Sequence, residues 1–222
     1  MPQFTTIIIL LFISTSSFGQ TNRMKCNCPA NQFSSYTNPD TIFHFRSGNS
    51  IVLCGSKDTE TVKGKTFYTE FVLAVCGQKS VIDFWGAIDN YKLLLKNDTL
   101  FVEQLKMLPI GKNFNYIQSV WMIDKLFFIN NKVVRKSSPN KNIRKYNHKE
   151  IEFVLNEYQT IKTKNSEKGE YIFDKLFIAT ISGSPEARKY FINFKSKFSH
   201  LGDHFDEEFD IGQEMLKQWD AR

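Results

Sequence analysis

Between residues 41 and 135 the apolar positions fall in short runs with strand-like alternation. Ile42-Phe43-His44-Phe45-Arg46 puts Phe43 and Phe45 on one face and His44 and Arg46 on the other. Further runs end at Cys54 and at Cys76, each followed by glycine, and another covers Val81 to Trp85. Tyr91 to Leu95 and Thr99 to Leu105 are separated by Lys96-Asn97-Asp98, and Leu126 to Ile129 and Lys132 to Arg135 by Asn130-Asn131. Asparagine tolerates positive φ, so both junctions predict β-hairpins, the second with a two-residue loop. The run at 81–85 is expected to pair with the run at 71–75 across Gly77-Gln78-Lys79. Seven or eight strands in a mainly antiparallel meander result.

Ser137-Ser138-Pro139-Asn140 breaks that pattern, and the period then becomes helical. Ile151, Val154, Leu155, Tyr158 and Ile161 form one amphipathic stripe, and residues 171–181 are apolar nearly all round. Gly183 is placed to end that helix, and Ser184-Pro185-Glu186 to start the next with an N-cap, a proline at the first position and a favourable acid. Ala187, Tyr190, Phe191, Phe194 and Phe198 give the third stripe; Phe205, Phe209, Gly212, Met215, Leu216 and Trp219 give the fourth. The expected fold is α+β: an N-terminal antiparallel β-sheet or open barrel, then a C-terminal bundle of about four helices. The expected division is 1–19 leader, 20–136 β domain, 137–149 basic linker and 150–222 helical domain.

The N-terminus changes the picture by giving an address. Ile7 to Ile13 is an unbroken apolar run followed by small residues, with Ser17 and Gly19 suited to a signal peptidase. The run is shorter than the roughly 20 residues a spanning helix needs. Cleavage is expected before Gln20, which makes the chain secreted or periplasmic, and no later stretch approaches membrane length.

All four cysteines, Cys26, Cys28, Cys54 and Cys76, follow the expected cut, and an even count in an exported chain points to disulfides. Cys54 and Cys76 could be bridged as two strand ends lying side by side, or Cys26 and Cys28 could each tie the N-terminal segment to one of those strands. A Cys26–Cys28 bond would close a strained ring.

Candidate chemistry is sparse. The chain has no nucleophile elbow, no zinc-protease helix, no phosphate loop and no EF-hand spacing, so no cofactor is expected. His44 and Arg46 could together contact an anionic ligand. His200, Asp203 and His204 form the most metal-like cluster, although Gly202 and a helix boundary interrupt it. The acidic run 206–210 lacks the alternation of a calcium loop. The net charge is +6, with Lys132, Arg135, Lys136, Lys141, Arg144, Lys145 and Lys149 in one acid-free block. That block lacks interleaved aromatic residues, so nucleic acid is not the expected partner. Asn97-Asp98-Thr99 is a glycosylation sequon at a hairpin tip. The reading is a non-catalytic binding protein whose partner is another macromolecule, most simply a protein. The alternative is a hydrolase with dispersed residues around His44 or around His200 and His204. A cleft where those histidines converge on carboxylates would mark the enzyme.

Overall fold

The computed structural model describes residues 26–30, 37–58, 67–87, 89–162, 166–198 and 203–221. The expected leader and its cut before Gln20 lie outside the described residues, as do His200 and most of the polar loop expected at 56–65.

Eight antiparallel strands come first: β1 Thr41–His44, β2 Ser50–Asp58, β3 Phe67–Val75, β4 Val81–Trp85, β5 Asn90–Lys96, β6 Thr99–Leu108, β7 Ile117–Ile129 and β8 Lys132–Pro139. They pair in the order β1-β2-β3-β5-β6-β7-β8, and β4 pairs with β3 beside the start of β5. The helices follow: α1 His148–Thr160, α2 Ser166–Ile181, α3 Pro185–Ile192, α4 Phe194–Lys197 and α5 Asp203–Asp220. The architecture is α+β, sheet first and helices second.

The asparagine tips set two of the hairpins. Asn97 and Asp98 have φ of 48° and 58°, and Asn130 and Asn131 have 48° and 60°. Two successive positive φ values make the two-residue turn whose twist matches the strands it joins. The sheet curls so that three turns meet at one end. The Arg46 amide donates to Asp98 Oδ1 at 2.7 Å, and the Asn49 side-chain amide donates to Asn131 Oδ1 at 3.1 Å. The curled interior holds Phe45, Ile51, Leu53, Phe71, Leu73, Trp85, Leu100, Val102 and Leu126.

The cysteines close the other face. Cys26 bonds Cys76 and Cys28 bonds Cys54, with Cα separations of 4.8 and 5.9 Å. Antiparallel pairing explains why Cys54 and Cys76 do not bond each other. Ile51 lies opposite Val75, so Cys76 sits beyond one end of the ladder while Cys54 faces Val72 further along it. The N-terminal segment therefore reaches both.

Strand β8 departs from expectation. Pairing does not break at Ser137 but continues through Ser138 to Pro139, opposite Met122. The segment after it is not simply a solvated linker, because Ile143 and Tyr146 are buried. The Tyr146 hydroxyl donates to the Pro109 carbonyl at 2.6 Å. Asn147 then caps α1 in a reciprocal box with Glu150.

The helices pack on Leu108, Ile110 and Trp121 at the end of β6 and the start of β7, forming one cluster with Phe173, Phe177, Phe191, Phe194, Phe198 and Phe205. Ser184 caps α3 by accepting from the Ala187 amide at 3.1 Å, as the sequence suggests. The third stripe is not one helix, because Asn193 interrupts it and its side chain donates back to the Lys189 carbonyl. Gly212 lets α5 approach closely: a Cβ there would sit 2.9 Å from the Phe173 ring.

Candidate functional site

The polar constellation that stands out lies on the inner face of the curled sheet. Along β7 the alternation Met122, Asp124, Leu126, Phe128 directs an acid into an otherwise apolar stripe. Asp124 is 8% exposed. Its carboxylate accepts from Trp85 Nε1 at 3.2 Å, from Arg135 Nη2 at 2.7 Å and from the Ser137 hydroxyl. Pairing explains the set: Ser137 is directly opposite Asp124 and Arg135 is opposite Leu126, one diagonal step away.

Arg135 also reaches from β8 to β4, where it ion-pairs with Asp83. Its guanidinium lies 4.9 Å from the centroid of the Trp85 indole. That indole also stacks on Phe71, 5.1 Å away with planes 7° apart. Burial pushes the Asp124 carboxyl above its usual range while Ser137 and Trp85 pull it back, and burial pushes the Arg135 guanidinium down. The 2.7 Å contact between them offsets part of that cost, since either charge left alone would pay its desolvation unopposed.

β4 and β8 are not paired to each other. The Arg135 clasp divides the gap between them into two pockets. One, of about 340 Å³, is lined by Trp85, Tyr91, Met122, Asp124, Ser137 and Gln218. The other, of about 420 Å³, is lined by Val75, Val81, Ile82, Lys132, Val133 and Arg135. Gln218 comes from α5, and its Oε1 is buried with no hydrogen-bond partner among the described residues. The Tyr91 hydroxyl is pushed up to about 12 by burial, with Asp89 and Asp124 adding to it, so it stays neutral as a donor.

The residues singled out from sequence are not brought together. His44 ends β1 and its Nδ1 is 2.9 Å from the Ser50 hydroxyl, beside a pocket of about 690 Å³ lined also by Asn49, Cys26 and Cys76. No carboxylate bonds to His44 among the described residues. Arg46 does not share the strand with His44, because β1 stops at His44 and Arg46 lies in the following turn. Asp203 and His204 open α5, their side chains outside the described residues, as is all of His200. Among the described residues no three His, Cys, Asp or Glu side chains gather to hold a metal, and no helix is long and apolar enough to cross a membrane.

The helical side carries a buried lysine and a half-buried acid that sequence inspection did not flag. Lys175 is 3% exposed, pairs with Glu157 at 2.8 Å and lies over Tyr171, Phe114 and Phe153 at 3.9, 5.0 and 5.8 Å. Asp174, the residue before it, is hydrogen-bonded to Tyr116, with Lys106 and Glu208 near it. The signal for Asp124 was present in the chain, because an acid in register with Met122, Leu126 and Phe128 requires buried donors. No family model matches the chain, and no curated protein and no solved structure is significantly similar to it.

Proposed function

We propose that the chain is an exported, non-catalytic binding protein that recognises another protein through the gap between β4 and β8. The observation that carries this reading is the gap itself: two strands that do not pair with each other, bridged by the Arg135 clasp, with a pocket on each side of it. Asp124 is engaged by three donors and Arg135 by two carboxylates, an arrangement suited to fixing a spacing rather than exchanging protons. Two disulfides fit an oxidising compartment. The leader at 1–19, cut before Gln20, delivers the chain there as a secreted or periplasmic protein.

The test is photo-crosslinking in the native host from single probes at Lys132 and Lys136, with Lys92 and Lys189 as controls on other surfaces. The reading expects a discrete adduct to one protein from the first two positions only. No adduct, or the same adducts from all four, contradicts it. Intact mass of the exported protein tests the address: it should begin at Gln20 with no free thiol, and a chain still beginning at Met1 contradicts export by cleavage.

The second reading, a hydrolase, draws on the 2.9 Å contact of Ser50 and His44 at a pocket rim. A fluorophosphonate probe that labels Ser50, with labelling lost in His44→Ala, is what it requires. An unlabelled Ser50 removes it.

A further inference from the structure

The alternation along β8 fixes which of its main-chain groups are free. Lys132 and Ile129 flank a two-residue turn, so they form the hydrogen-bonded pair that closes the hairpin. Main-chain bonds to β7 then fall at every second residue of β8. The far end agrees, since the Asn140 amide donates to the Trp121 carbonyl at 3.0 Å. The N–H and C=O of Val133, Arg135 and Ser137 accordingly point away from β7, toward the gap. Pro139 belongs to the same outward set, which is how a proline is tolerated in this strand. Among the described residues nothing on the main chain pairs with the outward groups of these three residues. The strand is half-buried or exposed from Lys132 to Ser138.

We infer that this edge of β8 receives an extended, acidic segment of a partner protein as an added strand. The inference rests on the reading of the β4–β8 gap as a recognition site. Strand addition takes its affinity from main-chain hydrogen bonds and its specificity from pockets for alternate side chains. Here both elements lie along one line: the outward groups recur every second residue, and the two pockets flank the Arg135 side chain between Val133 and Ser137. The other face of β8 presents Lys132, Val134 and Lys136, with Lys125 opposite Lys136. A strand laid alongside satisfies these with an acid, an apolar residue and an acid at alternate positions. The same lysines disfavour a second copy, because two β8 edges placed together would oppose like charges.

Random peptides displayed on phage are panned against the intact, oxidised protein, and the selected peptides are measured by fluorescence anisotropy and amide hydrogen exchange. The expected peptides carry acid–x–apolar–x–acid, slow exchange at Val133, Arg135 and Ser137, and bind Val133→Pro at least tenfold more weakly. Val133→Pro removes one outward N–H and no bond to β7, so its near-UV circular dichroism should match the wild type. If that variant does not fold, Lys132→Glu with Lys136→Glu must give the same loss. Failure to select any peptide, or selected peptides that leave the three amides exchanging as before, overturns strand addition. Slowing of those amides with rising protein concentration alone assigns the edge to a second copy and overturns the partner. If strand addition fails while crosslinks from Lys132 and Lys136 persist, the recognition site stands and only its mode is wrong. If both fail, the site itself is wrong.

Discussion

Arg135 lies over the indole of Trp85, 4.9 Å from its centroid, and joins two strands that share no main-chain hydrogen bond. The contact decides how wide the sheet opens. β8 ends the strand path and β4 lies off it on β3, and a guanidinium engaged by Asp83 and Asp124 bridges the two.

Replacing Arg135 should loosen that clasp without unfolding the sheet. Its side chain is 36% exposed, so the pair contributes less than a fully buried one would. Arg135→Ala should lose about 1–2 kcal/mol in urea denaturation and change the fluorescence of Trp85. Arg135→Lys should not restore stability, because an ammonium cannot bridge two carboxylates and cover the ring together.

The disulfides are predicted to be the larger stabilising term. They close stretches of 50 and 26 residues, and each bridge is expected to contribute about 3–4 kcal/mol by constraining the unfolded chain. The connectivity is checked by thiol counting. Cys28→Ser with Cys54→Ser should leave no free thiol, whereas Cys54→Ser with Cys76→Ser should strand two.

Asp174 makes stability depend on pH. Burial pushes its carboxyl up to about 6 from the usual 3.8; Lys106 opposes the shift, Glu208 adds to it and the Tyr116 hydrogen bond opposes it. A raised acid favours the folded state when protonated. Its contribution is complete below the unfolded value and is lost as pH rises through the folded one. Asp174→Asn should therefore be more stable than wild type by about 2 kcal/mol near pH 7, with the difference vanishing below about pH 4. Urea midpoints across that range test it, and a difference that grows on acidification contradicts it.

Lys175 and Glu157 should respond unequally to substitution. Glu157→Gln leaves an ammonium buried among Tyr171, Phe114 and Phe153 and should cost about 2 kcal/mol. Lys175→Met keeps the volume and removes the charge, so it should lie within about 1 kcal/mol of wild type. Thermal denaturation of the two variants is enough to rank them.

Local rules account for the parts of the fold that were readable. Asn97 and Asn130 mark turns through their φ tolerance, Ser184 and Gly183 mark helix ends, and the phenylalanine stripe of α5 is periodic enough to show which face it buries. What was not readable depends on parity or distance. Ser137-Ser138-Pro139 resembles a break until Pro139 falls on the side of β8 that needs no N–H. Arg135 resembles one member of a basic block until it meets Asp83, 52 residues earlier. Asn193 splits a stripe whose apolar spacing alone predicts one helix.

Whether the edge of β8 is open is decided by amide exchange in the free, oxidised protein. Val134, Lys136 and Ser138 should exchange slowly because their amides pair with β7, and Val133, Arg135 and Ser137 should exchange quickly. Uniformly slow exchange from Val133 to Ser138 would mean that the edge is already covered, and the account of this gap as a recognition site would be wrong.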